Sequence, residues 1–295
     1  MPIVHVHEGM SVLEASMVVI GDEILGGHVA DANSAWLAAR LTAHGVTLTR
    51  IHVVPDETSA IDEALRLELA RARPRLVVTS GGIGSTPDDI TYEAVAASLG
   101  RGLVEDPAIG ARLDDAMSWT RDNGVEVTDE FARHFRRMAR IPAGSRLLRR
   151  GTGWVPGVAV DVDGGCHVDG GATITILPGV PGEFRRIVTE ALEPDLLAGR
   201  NPVPTIVEIE HDFPESALNV LFAAVLRRFP QVRLGSYPGE RMLIRLQGPR
   251  AEAEDAAAYV RDGIDTLYRT PGGARLAASW AARRGVTAAP AEETP

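Results

Sequence analysis

The sequence predicts an α/β fold: a three-layer, doubly wound and mostly parallel sheet, joined to a second, smaller α+β module. Three observations carry this. Short apolar runs (SMVVI at 16–20, TRIHVV at 49–54, LVVTS at 76–80) each stop at a loop rich in glycine or acid. Amphipathic stretches of roughly ten to fifteen residues separate them, the spacing of strand–helix–strand units. Beyond Pro202 and Pro204 the patterns change to the order β-α-β-β-α.

The elements follow in order. Ser16–Ile20 halts at Gly21-Asp22-Glu23, as a buried strand halts at a functional loop. Asp31 caps a helix to about Ala43, and Gly45 closes it. Thr49–Val54 is a second strand, ending at Pro55-Asp56-Glu57. Ile61, Leu65 and Leu69 recur at i, i+4 and i+8, giving an amphipathic helix. Leu76–Ser80 is a third strand, followed by Gly81-Gly82-Ile83-Gly84 and a helix through Leu99-Gly100. In parallel sheets ligands bind beyond the carboxyl ends of the strands, where three acidic clusters of this chain fall. Asp106–Arg140 reads as polar helix in two pieces, broken around Asn123-Gly124. Gly153–Val162 and Thr173–Leu177 return to strand patterns, and the second runs through Pro178-Gly179-Val180-Pro181-Gly182-Glu183 into a helix. After a linker at 201–204 come Ile206–Ile209, Glu215–Phe229, Val232–Tyr237, Met242–Gln247 and Ala251–Leu267. The divisions expected are an extension at 1–14, the main domain at 15–200, the module at 201–270 and a mobile tail at 271–295. Within that tail, 276–283 carries the pattern of a short docked helix.

Composition narrows the chemistry. With 295 residues, 45% apolar and 24% charged, the chain can bury a sizeable core. Forty acidic against thirty basic residues give a net charge of −10, the wrong sign for an electrostatic nucleic-acid or anionic-membrane binder. All thirty basic residues are arginine, which excludes Schiff-base, Walker and general-base lysines. Cys166 is the only cysteine, so intramolecular disulfides and thiolate zinc sites are excluded, and a reducing cytoplasm is the expected location. Cys166-His167 lies in Asp-Gly-Gly-Cys-His-Val-Asp-Gly-Gly, a hairpin pattern rather than a nucleophile beside its base. The first residues lack a basic stretch followed by an apolar run, and no window reaches eighteen apolar residues, so no membrane partner is expected. His5 and His7 alternate there but make no metal site by themselves.

Four constellations could carry chemistry. In Ser80-Gly81-Gly82-Ile83-Gly84-Ser85-Thr86-Pro87-Asp88-Asp89-Ile90-Thr91, glycines let the backbone approach a ligand, and the helix beyond offers N–H groups to an anion. Thr86, Pro87 and Asp89 also fit N-cap, N1 and N3 positions, which would make Asp89 a capping carboxylate. Two adjacent acids at a phosphate cradle repel the anion unless a divalent metal neutralises them, so Asp88 and Asp89 read as metal-site acids. Val54-Pro55-Asp56-Glu57 and Gly21-Asp22-Glu23, with Asn33 ahead, are equally compatible with acids complementing a helix dipole. Leu177-Pro178-Gly179-Val180-Pro181-Gly182-Glu183 could clamp a phosphate or ring edge with its amides, or be an ordinary proline-stiffened turn.

Taken in order, these residues resemble a known family. Gly21-Asp22-Glu23-Ile24-Leu25 with Asp31-Ala32-Asn33, Ser80-Gly81-Gly82-Ile83-Gly84 with Asp88-Asp89-Ile90-Thr91, and Leu177-Pro178-Gly179-Val180-Pro181 look like the MoaB/Mog molybdopterin-binding domain, in the version found in CinA, the competence/damage-inducible protein. Gly153-Trp154-Val155-Pro156-Gly157 resembles the family's Gly-x-Ala-Pro-Gly segment. The later module, with Glu215-Ser216 and Leu234-Gly235-Ser236-Tyr237-Pro238, is similar to the KH-like middle domain of CinA. The resemblance spans roughly 15–270 and does not reach a nicotinamide-mononucleotide deamidase domain, so that activity is not expected. Ser85 stands where the family's Gly-Gly-x-Gly-Pro-Thr loop has proline, leaving a less rigid cradle.

The resemblance implies metal-dependent hydrolysis of the pyrophosphate of ADP-ribose-like nucleotides. Asp56 and Asp89 match the family's acidic pair and would be the catalytic residues. A divalent metal, Mg2+ or Co2+, would sit on Asp56 and Asp89 with help from Asp88 and Asp22. Substrate contacts would come from Asp22, Glu23, Asn33, Ser80, Gly81, Gly82, Gly84, Ser85, Thr86, Pro178, Gly179, Val180, Pro181 and Glu183. The alternatives are adenylyl transfer to a pterin and non-catalytic binding of a nucleotide or pterin. A KH-like module raises RNA binding, but residues 200–270 contain no Gly-x-x-Gly and balance arginine with acid, so no nucleic-acid partner is expected. The module's helix carries an apolar face (Leu218, Leu221, Phe222, Val225, Leu226), which either closes the module's own core or leaves the sheet for a partner. A two-fold homodimer is the expectation.

Overall fold

The computed structural model describes residues 11–148 and 156–284. The chain divides into two compact units between Val203 and Pro204. In chain order the first holds β1 (Glu14–Ile20), the one-turn α1 (Asp22–Leu25), α2 (Asn33–Ala43), β2 (Thr47–Val54), α3 (Thr58–Leu69), β3 (Arg75–Ser80) and α4 (Thr91–Ser98). Then come β4 (Leu103–Glu105), α5 (Pro107–Asp122), α6 (Asp129–Arg136), β5 (Arg140–Pro142), β6 (Ser145–Leu147), β7 (Val158–Val162), β8 (Ala172–Leu177) and α7 (Pro181–Ile187). The last runs on as a π-helix over Val188–Leu197.

The main sheet has the order β2-β1-β3-β8-β7-β6. Its first four strands are parallel; β7 is antiparallel to both β8 and β6. The alternation within β1 shows why it has helices on both faces. Met17 and Val19 join a core with Leu37 and Leu41 of α2 and Phe184 of α7. Val18 and Ile20 join a second core with Ile61 and Leu65 of α3 and Val95 of α4. Successive strand residues point to opposite faces, so a strand that is apolar throughout is buried on both. Asp31 does cap α2, its Oδ1 accepting the Asn33 and Ser34 N–H groups at 2.9 and 3.1 Å. Cys166 is buried in the first core, within the connection of the β7–β8 hairpin, and burial pushes its thiol pKa up. β4 and β5 form a separate antiparallel ribbon.

At the amino ends of β1 and β3, a fully buried Arg75 donates to Glu68 at 3.2 Å and to Glu14 at 2.8 Å. In the π-helix, which contains Pro194, the buried Glu193 accepts two hydrogen bonds from Arg40 of α2, at 2.7 and 2.6 Å.

The second unit holds β9 (Thr205–His211), a 3-10 turn (Glu215–Leu218), α8 (Asn219–Arg228), β10 (Arg233–Tyr237), β11 (Met242–Gly248), α9 (Arg250–Arg269) and α10 (Pro271–Arg283). Its antiparallel sheet has the order β10-β11-β9. Leu218, Phe222 and Val225 close the unit's own core with Ile244, Leu246 and Val260, and Leu221 packs against it. Leu226 alone of the apolar helix face is largely open, at 52% exposure.

Three expectations are corrected. The helix after the glycine loop begins at Thr91, not Pro87, because the Asp89 carboxylate closes a separate turn back to Thr86. The stretch read as a mobile tail is helical over Pro271–Arg283. Thr270 caps it by accepting the Gly273 N–H at 3.0 Å, Pro271 occupies N1, and Ala277 and Ala281 are buried. The strand expected over 153–162 begins at Val158 among the described residues; 153–155, like His5, His7 and 285–295, lie outside them. No helix of the described residues is long and apolar enough to cross a membrane.

Candidate functional site

Because β1, β2, β3 and β8 are parallel, the loops that follow them emerge on one edge of the sheet. Hydrogen bonds tie these loops together. The Gly21 N–H donates to the Val54 carbonyl at 3.1 Å, and the Asp22 N–H donates to Asp56 Oδ2 at 2.9 Å, joining the loops after β1 and β2. The Gly81 N–H donates to the Leu177 carbonyl at 3.1 Å, joining those after β3 and β8. Asn33, buried at the start of α2, bridges the latter two again. Its Nδ2 donates to Ser80 Oγ at 3.1 Å and to the Gly179 carbonyl at 2.9 Å.

The glycine loop can follow only a path that other residues dislike. Gly81 has φ +105°, and a Cβ there would stand 2.2 Å from the Ile20 carbonyl oxygen. Gly82 has φ +65°; a Cβ would meet Thr91 Oγ1 at 2.4 Å and lie 3.5 Å from Asp56 Oδ1. At Gly84 it would fall 2.6 Å from Asp89 Oδ2. The backbone therefore passes close to Asp56 at Gly82 and close to Asp89 at Gly84. Thr91 pins the loop from below, its hydroxyl donating to the Gly81 carbonyl and its N–H to the Gly82 carbonyl, each at 2.9 Å.

A cavity of about 590 Å3 opens here, lined by Glu23, Gly81, Gly82, Ile83, Gly84, Asp89, Met138, Pro178, Gly179, Val180 and Glu183. Nine of the expected residues are in that wall: Glu23, Gly81, Gly82, Gly84, Asp89, Pro178, Gly179, Val180 and Glu183. Asp56 stands behind Gly82, while Ser80 and Asn33 brace the loops without lining the cavity. Asp22, Ser85, Thr86, Asp88 and Pro181 also lie outside the wall.

The electrostatics are one-sided. Burial pushes the Asp56 pKa up, and Glu23, Asp22 and Asp88 push it further by repulsion, against the relief of the Asp22 N–H. Asp88 is exposed. Asp89 Oδ2 accepts the Thr86 N–H at 2.8 Å and hydroxyl at 2.6 Å. Among the described residues no three His, Cys, Asp or Glu side chains form a set that could hold a metal, so Asp56, Asp88 and Asp89 are not gathered as a preformed trio.

Sequence reasoning passed over Met138, just beyond α6, which supplies part of the apolar wall, and Arg137, which donates to the Asp89 carbonyl at 3.2 Å. No local pattern in the polar stretch 106–140 marks either; only the tertiary path brings them to this edge.

Residues 16–198 match the family described as "probable molybdopterin binding domain". A protein from Aeropyrum pernix is 34% identical over 269 residues, covering 86% of this chain and 94% of that protein. A CinA-like protein from Mycolicibacterium vanbaalenii is 36% identical over 211 residues, 69% of this chain and 47% of its own length. Among solved structures, CinA from Thermoplasma acidophilum, described as of unknown function, matches with a TM-score of 0.51 at 32% identity, covering 62% of this chain and 98% of that one.

Proposed function

Since the chain belongs to the molybdopterin-binding domain family, in company with CinA-like proteins, we propose that its cavity binds a phosphorylated nucleotide and hydrolyses the pyrophosphate bond of ADP-ribose-like substrates with a divalent metal. The observation that carries this reading is the close approach of one glycine turn to both Asp56, at Gly82, and Asp89, at Gly84, at the carboxyl edge of a parallel sheet.

The donor set suits a hard cation. Asp56 is a half-buried carboxylate pressed by three other acids, and among the described residues no cationic side chain lines the cavity. Mg2+ is commonly held by one or two carboxylates plus substrate phosphates rather than by a full protein cage, so a pair suffices where a trio is not formed. Asp56 and Asp89 would hold the ion; when bound, Mg2+ or Co2+ supplies Lewis-acid stabilisation of charge on a phosphate. The protein's own part is positioning. The glycine loop brings backbone close to the phosphates, Asn33 fixes its distance from Gly179, and Ile83, Met138 and Val180 give an apolar wall for a flat ring.

That wall also favours a second reading, binding or adenylylation of a pterin in the same cavity. Incubation with ADP-ribose and either metal, with AMP as the measured product, separates them. Hydrolysis that stops with EDTA supports the first reading. Adenylyl transfer from ATP to molybdopterin, with ADP-ribose left intact, replaces it with the second.

A further inference from the structure

Three acids line the cavity, and Glu183 is placed unlike the other two. Asp89 Oδ2 is taken by Thr86, and Glu23 presses on Asp56, which groups both with the acids of the proposed metal site. Glu183 belongs instead to the first turn of α7, where its Oε2 accepts from Arg186 Nη2 at 2.8 Å. Arg186 is only 18% exposed and reaches Glu190 at 3.4 Å with its other arm. The guanidinium thus fixes the Glu183 side chain and offsets its charge, so that Glu183 repels an anionic ligand less than a lone acid would. Among the described residues Glu183 Oε1 accepts no hydrogen bond.

A carboxylate accepts hydrogen bonds and donates none, so Glu183 has nothing to offer a phosphate directly. On a nucleotide it can meet the sugar hydroxyls or an N–H of the base. The adenine amino group stands between ring nitrogens whose lone pairs a carboxylate repels. A ribose presents two adjacent hydroxyls, which Oε1 and the second lone pair of Oε2 can accept together. The placement of Glu183 agrees with the sugar. Gly179 runs along the glycine turn, a Cβ on it falling 3.3 Å from Gly81 Cα. Val180, the next residue of the wall, caps α7, and Glu183 lies in the turn that follows. With phosphates at the glycine turn and a ring resting on Val180, the sugar that joins them lies beside that first turn.

We infer that Glu183 accepts the vicinal hydroxyls of the substrate's ribose and makes the cavity selective for ribonucleotides over deoxyribonucleotides, a role that rests on the nucleotide reading proposed above. Calorimetric titration of the full chain in Mg2+ with ADP, 2′-deoxy-ADP and inorganic pyrophosphate tests this. Wild type should bind ADP about tenfold more tightly than 2′-deoxy-ADP, the size of one hydrogen bond to a charged group. In Glu183→Ala that preference should vanish, while pyrophosphate, which has no sugar, binds at least as well as to wild type. Glu183→Gln keeps one acceptor oxygen without the charge; its preference should fall to about threefold, and it carries the test should the Ala variant not fold. Glu190→Gln disturbs only the far arm of Arg186 and should keep the wild-type preference. An equal loss of preference in Glu190→Gln, or a loss of pyrophosphate binding in Glu183→Ala, would make Glu183 a structural partner of Arg186 and overturn the inference. No preference in wild type, or an undiminished one in the Glu183 variants, overturns it too and leaves the proposed function standing, whereas a wild-type chain that binds neither ADP nor pyrophosphate overturns both.

Discussion

Asp56 is a carboxylate that the fold tolerates at a cost. Its pKa is raised by burial and by Glu23, Asp22 and Asp88, so the folded state holds its proton more readily than the unfolded one. Stability must therefore fall as pH rises through the unfolded pKa towards the raised folded one, and a neutral side chain escapes that loss. Asp56→Asn keeps an acceptor for the Asp22 N–H, so in metal-free buffer it should melt at or above the wild-type temperature while losing at least 100-fold in metal-dependent ADP-ribose turnover. A drop of several degrees would show that the acid is structural. Asp89→Asn should differ. Its carboxylate accepts two donors from Thr86, so the amide should lower stability by about 1 kcal/mol as well as abolish turnover, read by urea denaturation beside the activity assay. If stability falls and turnover per folded molecule does not, Asp89 is a turn-closing residue only. Here the sequence was ambiguous for a physical reason: an acid three residues after Thr86 satisfies turn closure and metal ligation alike.

Among the elements, β1 was legible because every position from Ala15 to Ile20 is buried, and the glycine loop because two positive φ values exclude other residues. The start of α4 was not, since Thr86-Pro87 imitates a helix start while the chain spends it on a turn. Met138 and Arg137 were illegible because α5 and α6 return them to the site across a long detour from Asp89. The strictness of the loop gives a paired prediction. Gly81→Ala meets the Ile20 carbonyl and an unfavourable φ, and should cost about 2 kcal/mol or more in urea unfolding. Gly182→Ala, with nothing within 4 Å and no positive φ, should be close to neutral. Comparable losses at both would mean that the loop after β3 is no more constrained than an ordinary turn.

At the scale of the whole molecule, the second unit carries its own pH sensitivity. His211 is fully buried on β9, its Nδ1 accepting the Phe213 N–H at 3.2 Å, and burial lowers its pKa from 6.5 to about 4, with Arg241 adding to the effect and Asp212 opposing it. The unfolded chain then binds a proton that the folded one refuses, so stability is lost as pH falls from about 6.5 to about 4, up to roughly 3 kcal/mol. Thermal melts across that range should show it, and His211→Asn should flatten the slope; an unchanged slope would assign it to other groups. The division into a three-layer α/β unit and an α+β module followed from the order of apolar runs, because periodicity survives in sequence where loop chemistry does not. The pair formed by Arg75 and Glu68 lies at the amino ends of the strands, and removing one partner would strand a buried charge at a cost of about 3–5 kcal/mol. The loops after β1, β3 and β8, which line the cavity, leave from the opposite ends. Descendants of this chain are thus free to exchange rim residues such as Glu23, Val180 and Glu183, and with them the molecule they recognise, on a base that does not register the change; a library confined to such positions, with Gly81, Gly82 and Asp89 held, should yield many new specificities and few unfolded proteins.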